Sequence, residues 1–196
     1  MSTEPKRLGL DASLAAPGWE TQAANALCPI CHDYIDDPKE TDCATRHVFC
    51  DACIKEVYDN RRPCPCCRGQ LSKLEKPQGL VLSFIEEVKW KCLNFEGGCD
   101  FTGTKKQLEK HLDSDCLEQK TKCPFEGCNK HMKRRLLAEH KKTCEYRLVP
   151  CDHCKESVRF NSKSMHLNTC PKFPVSYPNG CGKKTPQRRR LRSRQN

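Results

Sequence analysis

The sequence predicts a series of small α+β modules that are stabilised by metal, with no single large core. Of the 196 residues, 18 are cysteines, whereas only 36% of the residues are hydrophobic and 31% are charged. So little apolar material cannot build one large core, which leaves disulfides and metal ions as sources of stability. The cysteines also recur in pairs with histidines, and this pattern is typical of zinc-binding modules.

The first residues favour metal over disulfides. The segment MSTEPKRLGLDASLAAPGWE lacks the apolar run and cleavage site of a secretory signal. No stretch approaches the about 18 consecutive apolar residues that predict a membrane span. We therefore expect the chain in a reducing compartment, the cytoplasm, where paired cysteines are more often metal ligands than disulfides.

Eight candidate ligands in four pairs lie between residues 28 and 67. Seven are cysteines and one is a histidine, which is the second member of the second pair. Since zinc binds four ligands in a tetrahedron, eight ligands make two closed sites. The predicted ligands are Cys28, Cys31, Cys43, His47, Cys50, Cys53, Cys64 and Cys67.

A further cysteine, Cys66, stands among the last of these ligands. Cys64 and Cys67 have the usual two-residue separation, so we assign them as ligands and expect the Cys66 thiol to face solvent. The spacing alone leaves open that Cys66 replaces Cys67, although a Cys64-x-Cys66 turn would be a poorer chelate.

Three tandem repeats follow from residue 92. In each repeat, eleven residues separate the second cysteine from the histidine, and six residues separate one repeat's last ligand from the next repeat's first. Such regularity predicts modules in which a hairpin carries two thiolates and a helix carries His and Cys on one face. The predicted ligands are Cys92, Cys99, His111 and Cys116, then Cys123, Cys128, His140 and Cys144, then Cys151, Cys154, His166 and Cys170.

The repeats also contain helix and core signals. Thr104 is a predicted helix N-cap, and Gln107 completes a capping box. Leu108 and Leu137 each precede their histidine by three residues and should face the small core. The third repeat has Lys163 at this position, which predicts a weaker core there.

A fourth repeat is present only in outline. Tyr177 and Ser193 stand where a cysteine and a histidine are required, so we predict no zinc there and a free thiol at Cys181. The complete sets predict five structural zinc ions. The remaining histidines are expected to be ordinary surface residues: His32, His131 and His153.

The ligand order over residues 28–67 resembles the RING finger, and the repeats resemble the zinc fingers of the TRAF family, the tumour-necrosis-factor-receptor-associated factors. The string VSYPNGCGKK is also similar to the region that opens a further finger in that family. The resemblance covers about residues 28–185. It does not extend to the family's coiled coil or its C-terminal TRAF/MATH β-sandwich, so receptor binding and trimerisation are not implied.

The resemblance implies a cross-brace and a domain organisation. In the cross-brace, the first and third pairs hold one zinc ion, and the second and fourth pairs hold the other. The expected segments are a disordered N-terminus (1–26), a RING finger (27–69), a linker with a helix (70–91), finger 1 (92–116), finger 2 (117–144), finger 3 (145–170), and a degenerate fourth finger with a basic tail (171–196).

The resemblance also implies a function. RING fingers of this type generally act as ubiquitin ligases, which dock a ubiquitin-charged conjugating enzyme and promote transfer to a protein lysine without a covalent intermediate on the ligase. Ile30 and Pro65 match conjugating-enzyme contacts, and Arg68 matches the linchpin arginine, whose five donors can bond ubiquitin and the enzyme together. Val57 stands where many RING fingers have Trp, which implies a smaller anchor.

Two other functions compete with this one. A zinc-scaffolded adaptor without ligase activity is compatible with the same ligand pattern. Nucleic-acid binding is disfavoured, because residues 1–182 have 28 basic and 25 acidic side chains and become net negative once sixteen thiolates and five Zn2+ are counted. Only residues 183–196, with seven Lys/Arg and no acid, are strongly basic. This tail is compatible with a nuclear-localisation signal, with a nucleic-acid patch or with a solvated end, of which the solvated end is favoured.

An apolar stripe with helical spacing follows Gly79 in the linker. We favour packing of most of this stripe onto the RING finger or the first finger. A homodimer contact stays open, since RING fingers of TRAF-like proteins can dimerise through this region. The stripe consists of Leu80, Val81, Phe84, Ile85 and Val88.

Overall fold

The computed structural model describes residues 7–176 and 184–186, which fall into two compact units. The N-terminal unit is Met1–Glu118 and the C-terminal unit is Gln119–Asn196. Both are assembled from short helices and strands around clusters of cysteine and histidine. In the part of the chain that the structure describes, none of the helices has the length and apolar character needed to cross a bilayer.

The described part of the N-terminal unit contains four α-helices and five short strands. The helices are α1 (Glu20–Asn25), α2 (Asp51–Asp59), α3 (Gly79–Glu87) and α4 (Lys105–Lys110), with a 3-10 turn at Ala12–Leu14 and a π-helical turn at His111–Asp115. The strands are β1 (Pro38–Thr41), β2 (Val48–Cys50), β3 (Leu74–Glu75), β4 (Lys89–Lys91) and β5 (Thr102–Thr104).

These strands form two antiparallel sheets. β1 is the central strand of a three-stranded sheet in the order β2-β1-β3, with Lys39 opposite Phe49 and Thr41 opposite Leu74. β4 and β5 form the hairpin of finger 1. The first sheet belongs to the RING finger and carries ligands at its edge, because β2 ends at Cys50.

One hydrophobic core runs through the whole N-terminal unit and joins the RING finger, α3 and finger 1. Trp90 of β4 is fully buried and packs edge-on against Tyr34, with ring centroids 5.9 Å apart. The Tyr34 hydroxyl donates to the carbonyl of Ile85 in α3, at 3.4 Å. Shared packing therefore fixes finger 1 against the RING finger.

The prediction that residues 1–26 are disordered is wrong for residues 7–26. Leu10 is fully buried in the core, and the N–H of Ala16 donates to the carbonyl of Lys89 at 3.0 Å. The sequence signal is weak because the buried side chains come from turns and a short helix and have no regular period. The first six residues lie outside the described part of the chain.

The C-terminal unit repeats a hairpin followed by a helix. Its elements are β6 (Lys120–Lys122), β7 (His131–Lys133), α5 (Arg134–Thr143), β8 (Leu148–Pro150), β9 (Ser157–Arg159), a 3-10 turn (Phe160–Ser162), α6 (Lys163–Thr169), β10 (Pro174–Ser176) and β11 (Lys184–Pro186). The hairpins β6/β7, β8/β9 and β10/β11 are antiparallel.

The last hairpin lies where the degenerate fourth repeat was predicted. Its backbone is described, whereas Tyr177, Cys181 and Ser193 and most of the basic tail lie outside the described residues.

The capping box predicted for the helix of finger 1 is confirmed. The Thr104 side chain accepts a hydrogen bond from the N–H of Gln107, and the Gln107 side chain accepts one from the N–H of Thr104. Leu108 on this helix is fully buried, as predicted, whereas Leu137 of finger 2 is half-buried. In finger 3, Lys163 forms an ion pair with Asp152 at 2.7 Å.

The π-helical turn accounts for the odd spacing in finger 1. This finger has four residues between His111 and Cys116, whereas the other two fingers have three between their last two ligands. The wider turn at His111–Asp115 accommodates the extra residue. In fingers 2 and 3 the helix simply ends at the last ligand, since Cys144 and Cys170 are the C-caps of α5 and α6.

Candidate zinc centres and docking residues

The structure brings the twenty predicted ligands together in five groups of four. Within each group the candidate ligand atoms all lie within 4.8 Å of one another. In the RING finger the pairs interleave, as the resemblance implies. The groups are Cys28, Cys31, Cys50 and Cys53; Cys43, His47, Cys64 and Cys67; Cys92, Cys99, His111 and Cys116; Cys123, Cys128, His140 and Cys144; and Cys151, Cys154, His166 and Cys170.

The sulfur–sulfur distances fit a tetrahedral zinc site. With Zn–S bonds of about 2.3 Å, the edge between two sulfurs of a tetrahedron is about 3.8 Å, well beyond the about 2.05 Å of a disulfide. The cysteines are free thiols with this wider separation. The distances are 3.9 Å for Cys31–Cys50, 3.7 Å for Cys92–Cys116, 4.0 Å for Cys123–Cys144 and 3.8 Å for Cys151–Cys170.

The histidines complete the same geometry with different ring nitrogens. A sulfur–nitrogen edge of such a tetrahedron is about 3.6 Å. The RING finger presents Nδ1, and the three fingers present Nε2. The distances are 3.4 Å from His47 to Cys43, 3.2 Å from His111 to Cys99, 3.5 Å from His140 to Cys128 and 3.3 Å from His166 to Cys154.

Neighbouring groups orient the ligands of finger 1. The backbone N–H of Asn94 donates to Cys92 Sγ and its side-chain Nδ2 donates to Cys116 Sγ, both at 3.4 Å. The Phe101 ring stacks on His111, with centroids 4.0 Å apart and an interplanar angle of 7°. N–H donors stabilise thiolates, and the stacked ring fixes the imidazole orientation, so this site is arranged for a cation.

Without a cation the thiols cannot all be charged. Hydrogen bonding with Cys50 lowers the pKa of Cys28 to about 4, and the same interaction raises the pKa of Cys50 well above its usual range. In finger 3 the backbone N–H of Cys154 lowers the pKa of Cys151 to about 6, whereas burial raises the pKa of Cys154 to about 11. A divalent ion supplies the positive charge that makes every ligand a thiolate.

Three Cys-x2-Cys turns share one backbone conformation. In each, the fourth residue after the first cysteine has a positive φ, and its N–H donates to the carbonyl of that cysteine. This conformation closes the turn around the metal site. The residues are His32 (φ 57°, 2.8 Å to Cys28), Arg68 (φ 60°, 2.8 Å to Cys64) and Lys155 (φ 67°, 2.9 Å to Cys151).

The residues carried over from the RING resemblance lie at or near the surface. Pro65 and Arg68 are exposed, whereas Ile30 and Val57 are half-buried and pack against the core. The Arg68 side chain makes no hydrogen bond or ion pair with any residue that the structure describes. Its guanidinium is therefore available to a partner.

Within the described part of the chain, Cys66 and the three unassigned histidines lie outside the five groups. The Cys66 thiol is exposed, and the group that contains Cys64 takes Cys67 as its fourth member. His32 and His131 are exposed, whereas His153 is half-buried and packs edge-on against Phe173, with centroids 5.0 Å apart.

The fold and the ligand groups define a zinc protein that combines a RING finger with TRAF-type fingers. The family model of the C3HC4-type zinc finger, the RING finger, matches residues 28–67. The model of the TRAF-type zinc finger matches residues 91–140. These matches confirm the resemblance that the spacing suggested.

The curated relatives of the chain include a RING finger protein and TNF receptor-associated factors. The chain is 32% identical to cattle RING finger protein 151 over 130 residues, which cover 62% of this chain and 50% of that protein. It is 30% identical to mouse TNF receptor-associated factor 5 over 172 residues, 83% of this chain and 29% of the relative. It is 31% identical to cattle TNF receptor-associated factor 6 over 151 residues, 74% and 26% respectively. The chain thus spans half or less of these relatives.

Proposed function

We propose that the chain is a RING-type ubiquitin ligase with a TRAF-like signalling role. It docks a conjugating enzyme that carries ubiquitin as a thioester, and it promotes attack by the amine of a substrate lysine on the thioester carbonyl. The cysteine thiolate of the conjugating enzyme leaves, and no bond forms to the ligase. The match to the RING finger and the names of the relatives support this class of activity.

In this proposal the zinc ions play no chemical part. Each RING site has four protein ligands, so no position stays open for water or substrate. The ligase then accelerates transfer by holding the thioester in a reactive orientation and by hydrogen bonds that are strongest in the transition state.

The exposed Arg68 carries the proposal. It follows the last RING ligand directly and has a positive φ, a conformation that costs a non-glycine residue about 1 kcal/mol or more. Glycine would fit this turn better, so stability alone does not explain the arginine. A guanidinium that bonds ubiquitin and conjugating-enzyme carbonyls together explains it.

The conjugating enzyme would contact Ile30 and Pro65 beside this arginine. Ile30 keeps part of its side chain exposed while the rest packs on the core, and Pro65 stiffens the loop that carries Cys64. Val57 offers a smaller apolar contact than Trp, so we expect selectivity among conjugating enzymes.

The test is discharge of ubiquitin from a panel of charged conjugating enzymes onto free lysine. Arg68→Gly removes the guanidinium and relaxes the backbone, and His32→Gly makes the same backbone change in the first turn. We expect Arg68→Gly to slow discharge by about 10- to 100-fold, since hydrogen bonds to charged groups contribute about 1.5–3 kcal/mol. His32→Gly should leave the rate unchanged.

Equal discharge by wild type and Arg68→Gly would refute the role of the arginine. Both glycine variants should keep five zinc ions by native mass spectrometry, which excludes unfolding as the cause of a slow rate. A folded wild-type protein that is inactive with every enzyme of the panel would favour the adaptor function.

We also propose a homodimer contact on α3. The predicted stripe divides into two parts: Ile85 and Val88 are buried in the core, whereas Leu80 is 83% exposed and Phe84 is 40% exposed. Sedimentation at high protein concentration tests this proposal. A concentration-dependent dimer that Leu80→Asp abolishes would support it, and a strict monomer would refute it.

A further inference from the structure

We propose that Arg61 determines which conjugating enzymes the RING finger accepts, because its guanidinium binds a carboxylate on the docking surface of the enzyme. Arg61 lies in the segment that ends α2, residues 60–62, called here the α2 cap. The inference rests on the proposed ligase function and deepens it, since it assigns a charge to the partner of the same docking face.

The α2 cap has the hydrogen bonds of a Schellman motif, a common way to end a helix. The N–H of Arg61 donates to the carbonyl of Tyr58 at 2.9 Å. The N–H of the next residue, Arg62, donates to the carbonyl of Val57 at 3.0 Å. Arg61 has the left-handed conformation that this motif requires, with a φ of 53°. These bonds fix both arginines within one helical turn of Val57, where the apolar contact with the enzyme is expected.

The sequence departs from the usual motif at both positions after the helix. The first position normally has Gly, because the left-handed conformation strains other residues, and the second is commonly apolar and covers the side chain five residues earlier. Here both positions are arginines, and Val57 is only half-buried. A positive charge at a helix C-terminus is favourable, but Arg62 supplies it without the positive φ. Helix stability alone therefore does not explain Arg61.

Three arginines of the RING finger have a positive φ: Arg46, Arg61 and Arg68. Arg46 forms an ion pair with the buried Glu40, so the fold itself explains this arginine. Arg61 and Arg68 are exposed, and neither side chain forms a hydrogen bond, an ion pair or a ring contact with any residue that the structure describes. A partner outside the chain accounts for both.

The charge around the α2 cap fits a protein carboxylate better than a nucleic acid. Residues 1–118 have 15 Lys/Arg and 20 Asp/Glu, and zinc-bound thiolates add negative charge, so this unit repels a polyanion. A guanidinium binds one carboxylate through two parallel hydrogen bonds, and arginine is enriched in protein interfaces. Arg62 already pairs with Glu56 at 3.5 Å, which leaves the charge of Arg61 for the partner. The partner is a conjugating enzyme with an Asp or Glu beside the surface that contacts Val57.

The test measures the binding of a panel of conjugating enzymes without ubiquitin to the full, zinc-loaded chain, by calorimetry at about 50 and about 500 mM salt. Arg61→Gly removes the guanidinium and relieves the backbone. For enzymes with an acidic side chain at the contact, we expect Kd to rise about 3- to 10-fold at low salt and less at high salt. Enzymes with a neutral or basic side chain there should bind wild type and variant equally.

Charge reversal identifies the group that Arg61 binds. Arg61→Glu should bind an acidic enzyme more weakly than Arg61→Gly does, and replacing the carboxylate of the enzyme with lysine should restore the affinity. Lys155→Gly is the matched control, since it removes one positive charge and one positive φ, 67°, from an exposed site in finger 3. It should leave every Kd unchanged. Native mass spectrometry should show five zinc ions in each variant.

Kinetics separate this inference from the proposed function. In the discharge assay, Arg61→Gly should raise the KM for the ubiquitin-loaded enzyme with little change in kcat, whereas Arg68→Gly should lower kcat. If wild type binds and discharges the enzymes and Arg61→Gly does so equally well, only the inference about Arg61 fails. If wild type binds no enzyme of the panel, the ligase function fails with it.

A role of Arg61 in the helix alone would also overturn the inference. Glycine suits the left-handed position, so Arg61→Gly should melt at the same temperature as wild type or higher. A lower melting temperature, together with an equal loss of affinity for all enzymes whatever their charge, would mean that Arg61 stabilises α2 and selects no partner.

Discussion

Replacing Trp90 with alanine should destabilise the RING finger and finger 1 together. Trp90 belongs to the hairpin of finger 1, yet it packs edge-on against Tyr34 of the RING finger and forms a β-bridge with Ala15. One residue thus connects three segments that the sequence suggests are separate, through its ring to Tyr34 and through its backbone to Ala15.

The size of the effect follows from complete burial. Trp90 has no exposed surface, and removing a buried Trp side chain down to Ala costs about 3–5 kcal/mol. The Trp90 Nε1 has no hydrogen-bond partner among the described residues, and an unsatisfied buried donor costs about 1–3 kcal/mol, which partly offsets the loss. We therefore expect a net loss of about 2 kcal/mol, or roughly 8 °C in the melting temperature of this unit.

The remaining tryptophan reports on the N-terminal segment. Trp19 is half-buried against the same core, and the chain has only these two tryptophans. Urea unfolding of the zinc-loaded variant, followed by Trp19 fluorescence, should show an earlier midpoint. Hydrogen exchange should lose protection in residues 10–26 and in the RING strands as well as in finger 1.

Leu117→Ala is the matched control, since this side chain is 60% exposed and its loss should cost less than about 0.5 kcal/mol. A shared core would be refuted if Trp90→Ala exposed only the amides of finger 1 while the Trp19 transition stayed in place. That result would mean that the RING finger and finger 1 fold independently.

Three further predictions concern zinc and capping. Cys66→Ser should keep five zinc ions by native mass spectrometry, because this exposed thiol lies outside the ligand groups, and loss of one zinc would reverse the assignment. A strong chelator should unfold the chain, since each structural zinc site contributes about 10–16 kcal/mol of apparent binding free energy; a circular dichroism spectrum that survives metal removal would contradict this. Thr104→Ala should cost about 1 kcal/mol in thermal unfolding because it breaks the capping box, whereas Thr104→Ser should cost little.

The ligand groups could be predicted from the sequence because zinc chemistry is local and strict. A tetrahedral ion accepts four ligands, and short Cys-x2-Cys turns fix which sulfurs can share it. Spacing therefore predicted the ligands of all five sites and the groups of the three fingers, including the choice of Cys67 over Cys66 that the structure also makes, whereas the interleaved groups of the RING finger were implied by the resemblance. The capping box at Thr104 could also be predicted from the sequence, because its two partners are local and lie within one helical turn.

The hydrophobic core that the RING finger shares with finger 1 could not be predicted from the sequence, because it depends on contacts between distant segments. Leu10, Tyr34 and Trp90 come from three parts of the chain, and none belongs to a periodic apolar run.

Metal binding explains why three similar fingers differ in what surrounds their ligands. When an ion supplies most of the stability, the remaining positions of a small module do not need to build a core. Finger 1 uses Leu108 and Trp90 to join the RING finger, whereas the helices α5 of finger 2 and α6 of finger 3 contain no fully buried residue. The positive φ of Arg68 follows the same logic, since the zinc turn maintains a strained residue that stability alone would replace with glycine.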